Sequence, residues 1–149
     1  MLVKEIMTKN VITVKPEARI RELAEILVGN NISGVPVVDD AGRICGIVSE
    51  GDLMRKEIAP QMPDELCILG AVIFYHGLQE YREAFRKFAA MTAEQLMTEK
   101  VITVKEEDEV SQVGKIMLEK HIKRVPVLDD SGKIAGIVSR SDIVRMMLG

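Results

Sequence analysis

Gly46-Ile47-Val48-Ser49-Glu50-Gly51-Asp52 returns 90 residues later as Gly136-Ile137-Val138-Ser139-Arg140-Ser141-Asp142. Upstream of each copy, Val35-Pro36-Val37-Val38-Asp39-Asp40 matches Val125-Pro126-Val127-Leu128-Asp129-Asp130, and Val11-Ile12-Thr13-Val14-Lys15 matches Val101-Ile102-Thr103-Val104-Lys105. One ungapped offset relates all three pairs, which is the mark of a tandem structural repeat. A unit this short cannot bury its own apolar face. Two copies are therefore expected to pack together about a pseudo-twofold axis, with the cleft between them as the natural ligand site.

Within each copy the pattern reads strand, helix, strand, strand, helix. Val11 to Val14 is β-rich and stops at Lys15-Pro16. Ile20, Leu23, Ala24, Leu27 and Val28 then follow the helical period until Gly29-Asn30-Asn31, and Val110, Val113, Gly114, Met117 and Leu118 repeat it. The runs Val35 to Val38 and Ile44 to Val48 flank Asp39-Asp40-Ala41-Gly42-Arg43, a hairpin turn repeated at Asp129-Asp130-Ser131-Gly132-Lys133. Turn formation accounts for these paired aspartates without a metal ion. The expected division is repeat 1 over 1–58, an inter-repeat segment over 59–92 and repeat 2 over 93–149.

That inter-repeat segment is unexplained by either copy. Pro60, Pro63 and Asp64 mark a loop, Leu66 to Tyr75 is almost wholly apolar, and Gly77 breaks the chain. From Leu78 to Ala90 the residues Leu78, Tyr81, Phe85, Phe88 and Ala89 share one helical face, read as core or as a partner-binding surface.

The 149 residues are 47% hydrophobic and 29% charged, which suits a globular chain with one good core or two small halves sharing one. No apolar run approaches the ~18 residues that span a bilayer. Met1-Leu2-Val3-Lys4-Glu5 lacks the pattern of a signal peptide, so a cytoplasmic location is expected. A net charge of −3 without a basic block argues against a dedicated nucleic-acid binder. Cys45 and Cys67 fit no metal or redox spacing, and Cys45 stands where the second copy has Ala135, so it reads as a small apolar residue. His76 and His121 form no metal-ligand pair, and no phosphate-loop, dinucleotide or hydrolase motif is present, so the chain reads as not an enzyme.

Chemistry concentrates at Ser49/Asp52 and Ser139/Asp142. Each Ser-x-x-Asp stands at a strand-to-helix junction and satisfies the free donors there as a cap. The same junction presents amides and a positive dipole end to a phosphate, while the aspartate one turn on suits a ribose diol.

Taken together, Met7-Thr8 and Met97-Thr98, the two Val-Pro-Val strands and the two Gly-Ile-Val-Ser-x-x-Asp stretches resemble a pair of CBS domains, the regulatory unit named after cystathionine β-synthase. The pair resembles a stand-alone Bateman module. The resemblance implies an α/β (α+β) fold of two pseudo-symmetric β-α-β-β-α repeats, two clefts between facing sheets, and a helical inter-repeat segment. It further implies regulatory binding of an adenosine-containing ligand such as AMP, ADP, ATP or S-adenosylmethionine, with no obligatory cofactor. Carried over by position, one cleft would use Met7, Ile12 and Ser33 with Ser139, Ser141 and Asp142. The other would use Met97, Ile102 and Lys123 with Ser49 and Asp52, and Lys123 and Arg124 would stand near the phosphate.

Where the copies differ, Ser33-Gly34 becomes Lys123-Arg124 and Glu50-Gly51 becomes Arg140-Ser141. Glu50 beside a phosphate is unfavourable and Arg140 favourable, so the Asp142 cleft is expected to be the better nucleotide site. A homodimer is expected through the terminal helices, where Leu53, Met54, Ile143, Val144, Met146 and Met147 lie. An unknown effector protein is the implied regulatory partner, and no membrane is. The alternatives are a purely structural or oligomerisation module and a nucleic-acid-binding accessory protein supported locally by Lys123 and Arg124.

Overall fold

The computed structural model describes residues 1–58 and 75–149. The Pro60 to Asp64 loop, the apolar run from Leu66 and Cys67 lie outside the described residues. The elements run α1 (Val3–Ile6), α2 (Ile20–Gly29), β1 (Gly34–Val38), β2 (Ile44–Ser49), α3 (Glu50–Glu57) and α4 (Tyr75–Ala89), followed by α5 (Ala93–Leu96), β3 (Val104–Lys105), α6 (Val110–Glu119), β4 (Arg124–Leu128), β5 (Ile134–Ser139) and α7 (Arg140–Met146).

The repeat read from the sequence is present in its helices and hairpins. Strands β1 and β2 pair antiparallel as Val35 with Val48, and β4 and β5 pair identically as Val125 with Val138. Asp39 Oδ1 closes the first hairpin by accepting from the amides of Ala41 and Arg43, both at 2.9 Å. Asp129 Oδ1 does the same for Ser131 and Lys133. Gly42 and Gly132 take φ values of +79° and +83°, a left-handed geometry that a side chain resists. The paired aspartates thus include one turn-former each.

Two expectations need correction. The strand expected over Val11 to Val14 shrinks to one bridge between Val14 and Val37 in repeat 1 and to the two-residue β3 in repeat 2. Only Val14 and Val104 are buried there; Ile12 is 37% exposed, so β-branched side chains upstream find no sheet to pack on. Gly77 does not break the chain either, since α4 runs from Tyr75 through it.

Each copy completes its core with a helix from the other side of the chain. The first core, around Leu23, Leu27, Val35, Val37 and Val48, takes in Ala93, Leu96 and Met97. The second, around Val113, Met117, Val125, Val127 and Val138, takes in Val3. Backbone pairs secure both exchanges: Thr8 and Ile137 swap amide-to-carbonyl bonds of 2.9 and 3.0 Å, and Thr98 and Ile47 swap bonds of 2.9 and 3.1 Å. Neither copy has a finished core alone.

Candidate functional site

Strand β2 hands over directly to α3 at Ser49, whose extended backbone and hydroxyl cap the helix by accepting from the Asp52 amide. Asp52 answers with Oδ2, which accepts from the Ser49 amide at 2.9 Å and the Ser49 hydroxyl at 3.2 Å. The second copy repeats this reciprocal box, with Asp142 Oδ2 accepting from the Ser139 amide at 2.7 Å and hydroxyl at 2.9 Å. The capping role read from the sequence is present in both copies.

At the Asp52 end a cleft of about 370 Å³ opens between the repeats. Repeat 1 lines it with Ser33, Ile47, Ser49, Glu50, Gly51, Asp52 and Arg55; repeat 2 contributes Thr98, Lys100, Val101, Ile102, His121, Ile122, Lys123, Arg124 and Pro126. Four cationic side chains, Arg55, Lys100, Lys123 and Arg124, face two carboxylates, Glu50 and Asp52. An apolar wall of Ile47, Val101, Ile102 and Pro126 stands beside the charged mouth. Such a volume with convergent polar groups fits a small anionic molecule that carries a flat apolar portion.

Arg124 is the most constrained of these cations. Its Nη2 donates to Ser33 Oγ at 2.5 Å, reaching from β4 to the residue before β1. Its guanidinium lies 2.6 Å from where a side chain on Gly34 would begin, so glycine is what lets it cross there. Burial pulls the Arg124 pKa down, while the charges of Glu50 and Asp52 push it up. An arginine stays cationic under this opposition.

Of the residues expected in two clefts, the structure brings Ser33, Ser49, Asp52, Ile102, Lys123 and Arg124 together in this one. Ser33, carried over from the resemblance to the Asp142 cleft, lines the Asp52 cleft, where its hydroxyl accepts from Arg124. Met97, expected on the base wall, is 5% exposed and lies beneath it, packed on Gly46, while Thr98 occupies the lining. Met7 packs on Gly136 in the same manner.

The reason for preferring the Asp142 cleft also changes. Arg140 donates from Nε to the Ile122 carbonyl at 3.0 Å and from Nη2 to the Met117 carbonyl at 3.2 Å. It holds the end of α6 rather than offering its fork to a phosphate. Ser141 is exposed on the first turn of α7.

Sequence reasoning missed Lys100 and Arg55 on the cleft and, behind it, Lys87. Lys100 stands where the first copy has Asn10, so the copy-to-copy comparison that singled out Lys123 would have found it. Lys87 of α4 donates to Asp52 Oδ1 at 2.5 Å and to the Leu96 carbonyl at 3.2 Å. Lysine and aspartate are 4% and 3% exposed. Nothing in the local pattern of α4 announces this pair, because its partner is set by tertiary structure.

Comparison with known proteins agrees with this fold. The family model described as CBS domain matches residues 3–58 and 93–149. The uncharacterized protein MJ1426 of Methanocaldococcus jannaschii is 31% identical over 99% of this chain and 92% of its own length. The CBS domain-containing protein CBSX1, chloroplastic, of Arabidopsis thaliana is 32% identical over 98% of this chain, which spans 64% of that protein. Among solved structures, CBSX2 in complex with AMP superposes with a TM-score of 0.82 at 28% identity, covering 99% of this chain and 96% of that one. The CBS domain pair of MJ0100 in complex with 5′-methylthioadenosine and S-adenosyl-L-methionine gives 0.75 at 31% identity, covering 100% and 97%.

Proposed function

Because the chain belongs to the CBS-domain family, we propose that it is a regulatory module whose Asp52 cleft binds a phosphorylated adenosine compound of the AMP type. The observation that carries this reading is the pairing, in one inter-repeat cleft, of a capped helix start bearing Asp52 with the cations Lys100, Lys123, Arg124 and Arg55. The base would lie along Ile47, Ile102 and Pro126, the ribose diol would meet Asp52, and the phosphate would meet Ser49 and the lysines. Solved CBS pairs holding AMP, 5′-methylthioadenosine and S-adenosyl-L-methionine support the ligand class. The local excess of cations selects the phosphate within that class. Placing the nucleotide here reverses the earlier preference for the Asp142 cleft, whose arginine is engaged elsewhere.

Both repeats line the cleft, so a bound ligand would bridge them and favour one relative arrangement, passing on ~1–3 kcal/mol of coupling to an effector protein. Calorimetric titration with AMP, 5′-methylthioadenosine and S-adenosyl-L-methionine tests the reading. AMP should bind tightest, and Lys123→Ala should weaken AMP about tenfold while leaving 5′-methylthioadenosine within about threefold, as loss of one charge-assisted contact implies. Flat titrations with all three compounds would overturn it.

A further inference from the structure

We infer that Lys87, which belongs to neither repeat, is a positioning residue for the Asp52 cleft: it holds the carboxylate that meets one hydroxyl of the ligand's vicinal pair. This rests on the adenosine-ligand reading above and adds to it the control of one cleft by the inter-repeat helix.

The acceptor capacity of Asp52 carries the argument. An ionised carboxylate offers about four lone-pair directions. Oδ2 is committed to the amide and hydroxyl of Ser49. Oδ1 takes Lys87 Nζ at 2.5 Å and, more distantly, Arg55 Nη1 at 3.5 Å. The two partners of Oδ1 differ sharply in accessibility, for the Arg55 side chain is 60% exposed and that of Lys87 is 5% exposed. A hydroxyl arriving from the cleft therefore displaces Arg55, whereas Lys87 remains in place behind the carboxylate.

Lys87 cannot be spared in this arrangement. A carboxylate buried to this degree needs a buried counter-charge, and removing one member of such a pair leaves the other uncompensated. The same ammonium donates to the Leu96 carbonyl at the end of α5, one residue before Met97. It thus joins the ligand-facing helix α3 to the segment that completes the first core. A neighbouring lysine reinforces the docking, since Lys56 of α3 donates to the Phe88 carbonyl of α4 and lies 5.4 Å from the Phe88 ring centroid. Among the described residues, Asp142 has only Arg145 as an ionic partner, at 3.6 Å, so the device serves one cleft and not its pseudo-symmetric counterpart.

The test measures diol recognition by itself. In an Asp142→Asn background that quiets the other cleft, AMP and 2′,3′-dideoxy-AMP are titrated against the full chain with Lys87 intact and against Lys87→Met. With Lys87 present, AMP should bind about tenfold or more tighter than the dideoxy compound, as hydrogen bonds to a charged acceptor imply. Lys87→Met should bring that preference to about threefold or less by weakening AMP alone. Equal weakening of both ligands would mean a merely structural lysine and would overturn the inference, as would an undiminished preference. No binding of AMP to the protein with Lys87 intact would remove the adenosine-ligand reading as well; binding without a diol preference would remove only the role of Lys87. If Lys87→Met does not fold, Lys87→Gln carries the same comparison: its amide cannot supply the buried counter-charge that the carboxylate needs, so the preference should still fall, and an undiminished preference there is equally fatal.

Discussion

Gly46 and Gly136 show how a single missing side chain sets the distance between the two halves. Met97 packs directly onto Gly46, and Met7 Sδ lies 2.5 Å from where a side chain on Gly136 would begin, with the Thr8 carbonyl at 3.0 Å. Both glycines have negative φ, so close approach and not backbone freedom is what requires them. Adding one methyl forces the inserted methionine and the exchanged backbone pair apart. Gly136→Ala should cost about 1–3 kcal/mol of unfolding free energy, the usual range for overpacking, read from the midpoint of a urea transition. Gly34→Ala meets the far end of the Arg124 side chain rather than backbone. It should leave the urea midpoint nearly unchanged and yet weaken AMP, because it pushes the guanidinium off Ser33; equal effects on stability at the two glycines would contradict this account. The sequence marks Gly46 and Gly136 as repeated, whereas Gly34 has Arg124 as its copy mate; geometry shows that the repeated pair spaces the halves and that Gly34 seats the arginine.

Elements were legible where a pattern is satisfied locally and obscure where a distant partner decides. Helices α2 and α6, both hairpins and both Ser-x-x-Asp caps follow from period, turn chemistry and capping, each contained within about a dozen residues. The strand expected at Val11 to Val14 was not, since β-branched composition states a preference and pairing needs a neighbour of the right length. Helix α4 is the sharper case. Its apolar spacing put Phe85 and Ala89 on one face, read as core or as a partner-binding surface; Phe85 is 51% exposed and Ala89 is exposed, which excludes the core reading for these two, while Lys87 is buried against Asp52. A charge pair across 35 residues overrode the hydrophobic stripe. Local chemistry also makes the second hairpin sensitive to acid. The Ser131 hydroxyl, followed by the Lys133 amide, holds the Asp129 carboxyl below its ordinary value of 3.8. A depressed folded pKa contributes stability above the unfolded value and loses it as pH falls through the folded one. Amide exchange at Ser131 and Lys133 should therefore stay slow from neutral pH down to about 4 and quicken below it, after correction for intrinsic rates. Ser131→Ala should raise the Asp129 pKa; an unchanged carboxyl titration by NMR would show that the hydroxyl is not its cause.

At the scale of the whole molecule, the repeat leaves the same apolar pair exposed twice. Val28 of α2 and Met54 of α3 are 82% and 63% exposed, and their copy mates Leu118 of α6 and Val144 of α7 are 69% and 60% exposed. Leu53 and Ile143, expected with them, turn inward against the two cores. Paired patches related by a pseudo-twofold axis are suited to a closed dimer, in which a second copy covers both at once. Because Met54 and Asp52 share α3, such an interface would rest on the helix whose first turn lines the ligand cleft, and assembly would respond to occupancy. Val144→Glu places a charge in one patch without touching the Asp52 cleft. If this face joins two copies, sedimentation should show dimer for the original protein and monomer for the variant at micromolar concentration, while AMP affinity should change by no more than about threefold if the cleft is complete within one chain. A variant that sediments like the original protein would remove this face from consideration as the dimer interface, and a monomer that has also lost AMP would mean that the second copy completes the site.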